Sequence, residues 1–492
     1  MLFNSIEFLI FFAVVITAYF ILKSKHRWIL LLAASYYFYM SWNPAYIILI
    51  ILSTVVDYFA GLKMGTTDDK SKRKKYLFAS LFINLGMLFF FKYYNFFNKS
   101  FTYLTKEINI LQYGGVLPTF DLLLPVGISF YTFQTLSYTI DVYRGEKEPE
   151  KHFGIFALYV SFFPQLVAGP IERSTRLLPQ FKEEYKFDYI RVTDGLKLML
   201  WGFFKKVVVA DRLAIFVNGV YNDVNGVEGI PLILATVFFA FQIYCDFSGY
   251  SDIAIGAAQV MGFNLMDNFK RPYFSKSIPE FWRRWHISLS TWFKDYVYIP
   301  LGGNRVSEAR YYANLFITFL ISGLWHGAAW TFVIWGALHG FYQIFSLVTK
   351  KYRVKVKESI GLVNYPTINK YIQIVITFIL VDFAWIFFRA NSLTDAWYII
   401  DNLFSGINNQ VSSIGMLSNS LSGFGFSKYE LVIAVGVILI MEAIHLIQRH
   451  GSIRHMMRDK PIWVRWSLYY ALIFMILILG IYGKSEFIYF QF

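Results

Sequence analysis

Long apolar runs alternate with short polar, mostly basic segments along almost the whole chain. A helix that crosses a hydrocarbon layer ~30 Å thick needs roughly 17 to 25 apolar residues, because each residue rises only about 1.5 Å. Such runs recur near Ile6 to Leu22, Ile29 to Trp42, Tyr46 to Leu62, Phe153 to Gly169, Ile372 to Phe388, Leu431 to Ile447 and Leu468 to Tyr482. The pattern predicts an all-α polytopic membrane protein with about 10–12 transmembrane or re-entrant helices. No soluble domain fits between the runs, so residues 1–492 read as a single integral-membrane domain.

Basic loops mark the cytoplasmic side. Lys23 to Arg27 and Lys70-Ser71-Lys72-Arg73-Lys74-Lys75 are separated by two runs, as are Lys350 to Arg353 and Arg449 to Arg465, so the parity agrees at both ends. It predicts extracytoplasmic N- and C-termini. The first run has Lys23, Lys25 and Arg27 after it and no basic residue before it, the reverse of a secretory signal, so it is expected to stay as a span.

Two places strain this scheme. Arg144 to Lys151 and Arg173 to Lys197 both read as cytoplasmic although one run separates them, and Pro164, Gly169 and Pro170 interrupt that run, which predicts a re-entrant segment. Between Tyr311 and Val348 an even number of crossings must fit into too few residues for two full spans. Short, tilted or broken helices are expected there, with Gly323 and Gly327 as the discontinuity.

Composition changes this picture little. Of the 492 residues 56% are hydrophobic and 20% aromatic, more apolar surface than a soluble core can bury. The net charge of +14 sits in short loops between spans, which points to membrane topology and away from nucleic acid. The one cysteine, Cys245, excludes a disulfide framework and a multi-cysteine metal site.

Candidate chemistry begins with Trp325-His326-Gly327, which lies inside an apolar run. An ionisable group at membrane depth is by default a functional-site hypothesis. A low-dielectric setting disfavours the charged imidazole, leaving a neutral base able to accept a proton from a hydroxyl. Gly323 and Gly327 would let His326 face a cavity instead of lipid. Of the other histidines, His26, His152, His450 and His455 adjoin basic loops and read as solvated, and His339 and His445 read as structural at span ends. His286 alone shares depth and a polar cluster with His326, and the gap between the two carries no metal-ligand spacing, so no metal is expected. No Gly-x-Ser-x-Gly elbow is present, so direct attack of an acceptor hydroxyl on a bound thioester is the chemistry that fits.

From Pro279 onward, Pro279 to Asp295 reads as an aromatic and basic amphipathic helix at the cytoplasmic face. Its Arg283, Arg284 and Lys294 would attract a phosphate-bearing donor, and the Gly302-Gly303-Asn304-Arg305 loop could bring backbone N–H groups close to it. Asp246 and Asp252 fall in another apolar run, with Asp141 and Arg144 after an earlier one, and each buried carboxylate requires a partner.

At these residues the chain resembles the membrane-bound O-acyltransferase superfamily. The resemblance rests on Phe281-Trp282-Arg283-Arg284-Trp285-His286-Ile287-Ser288-Leu289-Ser290, Trp292-Phe293-Lys294-Asp295-Tyr296 and Gly323-Leu324-Trp325-His326-Gly327. Leu124 to Gln134, Phe162 to Ile171, Tyr298 to Arg305, Phe383 to Ala390 and Glu486 to Phe492 are similar to the alginate and peptidoglycan O-acetyltransferase branches. The resemblance implies helices around a central cavity, His326 as catalytic histidine and His286 as the second characteristic histidine. Arg283, Arg284, Lys294 and Trp325 are assigned to substrate binding. It further implies a bacterial inner-membrane enzyme with no bound cofactor and acetyl-CoA as donor. The acceptor is a cell-surface polysaccharide or peptidoglycan, reached with an extracytoplasmic SGNH-type partner. The rival readings are the D-alanyl transfer protein of teichoic acid modification and a transporter or flippase with His326 as a relay residue.

Overall fold

The computed structural model of the chain describes residues 1–107, 118–120, 123–483 and 487–488, apart from the side chains of 106 and 107. Glu486 and Tyr489 to Phe492 of the terminal sequence block lie outside the described residues. Every regular element among the described residues is helical. Pro44–Gly65, Lys70–Thr105, Ile230–Met261, Trp330–Val348, Pro366–Arg389, Lys428–His450 and Ile462–Leu479 are long and apolar enough to cross a membrane, and Ile6–Ile21 is a shorter apolar helix. The chain is an all-α, multi-pass membrane protein. Its residues cluster into two compact units.

Unit 1 comprises Met1–Gly195, Ala254–Met266 and Gly327–Ala329. It contains α1 (Ile6–Ile21), α2 (Ser24–Met40), α3 (Ile47–Gly65), α4 (Lys70–Leu88), α5 (Ile128–Arg144) and α6 (Phe153–Ser161). Local chemistry sets the ends. Ser5 accepts the N–H of Phe8 at 3.2 Å to start α1, and Asp69 accepts from Ser71 at 2.8 Å to start α4. Gly145, at φ 79, closes α5 in the left-handed conformation that glycine adopts without penalty. Helices α3, α4 and α5 pack on one another.

The run from Phe153 is broken where its prolines and glycine predict. Helix α6 stops at Ser161, a single turn Phe163–Leu166 follows with Pro164 in its first turn, and no helix resumes until Ser174. The non-helical stretch after it is buried, and two of its polar groups are engaged within the unit: Tyr159 donates to the Glu172 carbonyl at 3.2 Å, and the Glu172 carboxylate accepts from the Met266 N–H. Such burial is the condition under which irregular backbone is tolerated at membrane depth.

Unit 2 comprises Leu196–Ile253, Asp267–His326 and Trp330–Phe492. Its elements include most of α7 (Ile230–Met261), then α8 (Ile278–Trp282), α9 (Ile287–Phe293), α10 (Glu308–His326), α11 (Trp330–Val348), α12 (Pro366–Arg389) and α13 (Lys428–Ile447). The expected short helices around His326 are instead two helices of 19 residues each, because α10 begins at Glu308, ahead of the apolar run. Gly323 is not a break. It lies inside α10, where a Cβ would press into the Phe332 carbonyl and come within 3.1 Å of the Gly336 Cα on α11. The two glycines thus let the α10 and α11 backbones touch. The discontinuity falls at Gly327–Ala329.

Candidate active site

Two short helices deliver the first histidine. Ser277 accepts the Glu280 N–H at 3.3 Å and Pro279 occupies the first turn of α8. The amphipathic helix expected from Pro279 onward does not form. The chain leaves α8 at Trp282, turns through Arg283 to His286 and restarts as α9, with Phe281, Trp282, Trp285, His286, Trp292 and Phe293 all buried. His286 sits at φ 43, a left-handed conformation shared among non-glycine residues only with Arg271 in the described structure. That conformation costs an L-residue about 1–2 kcal/mol. Asn268 supplies the compensation: its carbonyl accepts the Ile287 N–H at 2.9 Å, and its side-chain oxygen accepts from the Ser288 N–H at 3.3 Å and hydroxyl at 2.9 Å. Its amide nitrogen in turn donates to Ser251 of α7 at 3.2 Å.

His326 is the last residue of α10, with Trp325 beside it, and both are buried. Its ring stands 4.9 Å from Trp335, 5.0 Å from Trp325 and 5.4 Å from Phe388, each contact edge-on. The His286 ring lies 6.5 Å from it, centroid to centroid, and 4.5 Å from Phe247. Burial holds the His286 imidazole well below the usual histidine range. The two imidazoles lie buried among aromatic rings, a setting in which a neutral imidazole can handle a proton away from water.

The remaining predicted site residues are placed differently. Trp325 joins the pair, 6.1 Å from His286. Arg284 is half-buried and already bound to Glu280 at 2.6 Å. Arg283 and Lys294 are exposed, and neither forms an ion pair among the described residues. They remain open to an anionic group, whereas Arg284 must first leave a carboxylate. His339, read from sequence as structural, is buried mid-way along α11 and accepts the Trp282 indole N–H at 3.2 Å. His445 lies between Tyr244 and Glu442, each at 3.2 Å.

The partners required by Asp246 and Asp252 are lysines from a π-helical segment, Phe204–Ala210. Lys206 bridges Asp246 and Asp211, both at 2.8 Å, and Lys205 meets Asp252 at 2.7 Å and Ser248 at 3.0 Å. The Ile488 N–H adds a hydrogen bond to Asp246 at 2.8 Å. Neither lysine nor Asn268 stood out in the sequence. The available signal was a pair of cations in an apolar stretch, Phe203-Phe204-Lys205-Lys206-Val207-Val208-Val209. No group of three or more His, Cys, Asp or Glu side chains that could hold a metal occurs among the described residues.

Comparisons with known proteins converge on these elements. The profile of the membrane-bound O-acyltransferase family matches residues 152–379, a range holding both histidines. The chain is 40% identical over 408 residues to a probable alginate O-acetylase of Pseudomonas aeruginosa, covering 82% of this chain and 75% of that one. It is 36% identical over 446 residues to a peptidoglycan O-acetyltransferase of Helicobacter pylori, covering 83% and 80%. A teichoic acid D-alanyltransferase of Streptococcus thermophilus is 29% identical over 300 residues, covering 56% and 70%.

Proposed function

We propose that this chain, which belongs to the membrane-bound O-acyltransferase family, passes an acetyl group from cytoplasmic acetyl-CoA across the bacterial inner membrane for O-acetylation of an extracytoplasmic polysaccharide, alginate-like or peptidoglycan. The chain is an acyltransferase enzyme; donor, direction and acceptor are the proposal. Residues 1–492 act as one catalytic domain, and an SGNH-type partner outside the membrane completes transfer to the glycan.

In this reading His326 takes the proton of the acceptor hydroxyl as its oxygen attacks the thioester carbonyl. The tetrahedral intermediate collapses, the carbon–sulfur bond breaks, and the proton passes to the departing thiolate. His286 supports from the same aromatic enclosure, by orienting the acceptor or the developing oxyanion. Trp325 shapes the acyl site, and Arg283, Lys294 and, once released from Glu280, Arg284 bind the donor's phosphates. The observation that carries the reading is the buried His286–His326 pair, 6.5 Å apart and lined by aromatic rings.

The test is transfer from radiolabelled acetyl-CoA by the purified protein, wild type beside His326→Ala, with an extracytoplasmic partner and candidate glycans. General-base removal predicts a loss of roughly 10²- to 10⁴-fold in a folded variant. Full activity in that variant would overturn the base assignment. Acceptance of a D-alanyl carrier thioester in place of acetyl-CoA would move the chain to the D-alanyl branch, to which its similarity is lower and covers less of the chain.

A further inference from the structure

Deep in unit 1 a carboxylate lies on a membrane-spanning helix with no basic side chain to balance it. Asp57 of α3 is fully buried and, among the described residues, pairs with no Lys, Arg or His. A lone carboxylate in such a place is costly unless a positive charge joins it.

Its neighbours come from three helices. Asn84 of α4 donates to both carboxylate oxygens at 3.0 Å, and Ser80 of α4 donates to one of them at 2.5 Å. Ser53, one turn before Asp57, is 3.5 Å from the other oxygen and gives its hydrogen to the Asn84 carbonyl at 2.5 Å. Thr135 and Thr139 of α5 complete the ring, 3.4 Å from Ser53 and 3.3 Å from Ser80.

Each hydroxyl has a single hydrogen. Those of Thr135 and Thr139 go to the carbonyls of Thr132 at 3.1 Å and Thr135 at 3.0 Å. The Ser53–Thr135 contact can be donated from either side, and the Thr135 and Thr139 hydroxyls also lie within hydrogen-bonding reach of Asp57. The cluster is rich in oxygen and, with Asp57 ionised, negative by one charge. Tyr58 of α3 and Tyr138 of α5 are the titratable groups beside it, and Glu150, whose N–H Tyr138 accepts, is already balanced by Lys182 at 2.7 Å.

We propose that Asp57, Ser53, Ser80, Asn84, Thr135 and Thr139 form a buried site for one monovalent cation, a proton or a sodium-class metal ion, gripped by α3, α4 and α5. All-oxygen ligation suits a hard cation, and one carboxylate balances one charge. The site shares no residue with the histidine pair and does not depend on the acetyl-transfer reading.

Two arms separate the sources, both on the purified full-length protein. In the sodium arm, thermal unfolding is followed as sodium replaces choline at constant ionic strength. A metal site gives a saturable rise in unfolding temperature in wild type and none in Asp57→Asn. In the proton arm, sodium-free protein at neutral pH shows the infrared carbonyl band of a protonated carboxyl, and Asp57→Asn removes it. Ser80→Ala keeps the charge and deletes one oxygen, so it weakens sodium binding about tenfold or moves the band, and it serves if Asp57→Asn does not fold. The proposal fails if wild type and both variants respond alike to sodium and neither substitution alters a carboxyl band.

Discussion

Replacing Gly323 by Ala tests whether the contact between α10 and α11 sets the position of His326. The added methyl has nowhere to go: it would overlap the Phe332 carbonyl and lie 3.1 Å from both the Cα and the N of Gly336. All three obstacles are backbone, so no rotamer change relieves them, and the helices must separate by something on the order of an ångström. Overpacking of this kind costs about 1–3 kcal/mol. The larger effect is on chemistry, because His326 follows Gly323 by one helical turn and moves with it. A displacement of about an ångström at a reacting group costs up to about 10²-fold in rate. The assay pairs acetyl-transfer turnover with thermal unfolding, and Gly436→Ala on α13 provides the control, since a Cβ there meets nothing within 4 Å. That control should leave turnover unchanged and stabilise by up to about 1 kcal/mol. If Gly323→Ala is destabilised yet turns over at the wild-type rate, the hairpin spacing does not govern the site and the reasoning is refuted.

Further outcomes follow from other features. Asn268→Ala should lower turnover by up to about 10²-fold by freeing His286 from its left-handed turn, while Asn268→Asp, which keeps the acceptor oxygens, should retain more; kinetics in the reverse order would remove Asn268 from that role. Lys206→Met leaves Asp246 and Asp211 without their shared cation and should cost about 3–5 kcal/mol in denaturant unfolding, part of which adding Asp246→Asn should restore. Burial lifts the Glu172 carboxyl from 4.5 to about 7, so the folded chain holds a proton that the unfolded chain releases between those values. Its contribution is therefore complete below pH 4.5 and lost as pH rises through about 7, a difference of about 3 kcal/mol at most. Glu172→Gln keeps an acceptor for Met266 and should flatten the stability profile across that window; an unchanged profile would exclude Glu172 as its source.

The apolar rhythm of the chain was sufficient for the helical class and for the interruption after Phe153, since proline and glycine act locally and leave their mark in sequence. His326 was legible for a similar reason: an imidazole amid Leu, Ile and Phe is conspicuous wherever the helix goes. The turn at His286 was not. Its residues carry a credible helical period, and what stops the helix is Asn268, a distant residue whose side chain captures Ser288. Lys205 and Lys206 escaped notice because Asp252 and Asp246 arrive from α7, well down the chain, and only Asp211 lies close in sequence. Asp57 was hidden by its own surroundings, a single acid averaged away in the apolar run from Tyr46 to Leu62.

The π-helical turn at Phe204–Ala210 has a consequence for how this gene can change. A π turn is an α-helix carrying one surplus residue, so deleting one residue there would restore ordinary helical spacing at little local cost. Everything on one side of the deletion would, however, rotate by about 100° relative to the other. Lys205 and Lys206 would then be turned relative to one flank of the helix and lose register with Asp252 and Asp246 of α7, whichever side chains occupied the neighbouring positions. Apart from Lys205 and Lys206, side chains in this segment can drift so long as volume is kept, but its length cannot, and an insertion–deletion scan of the coding sequence should find a gap-free window centred on it.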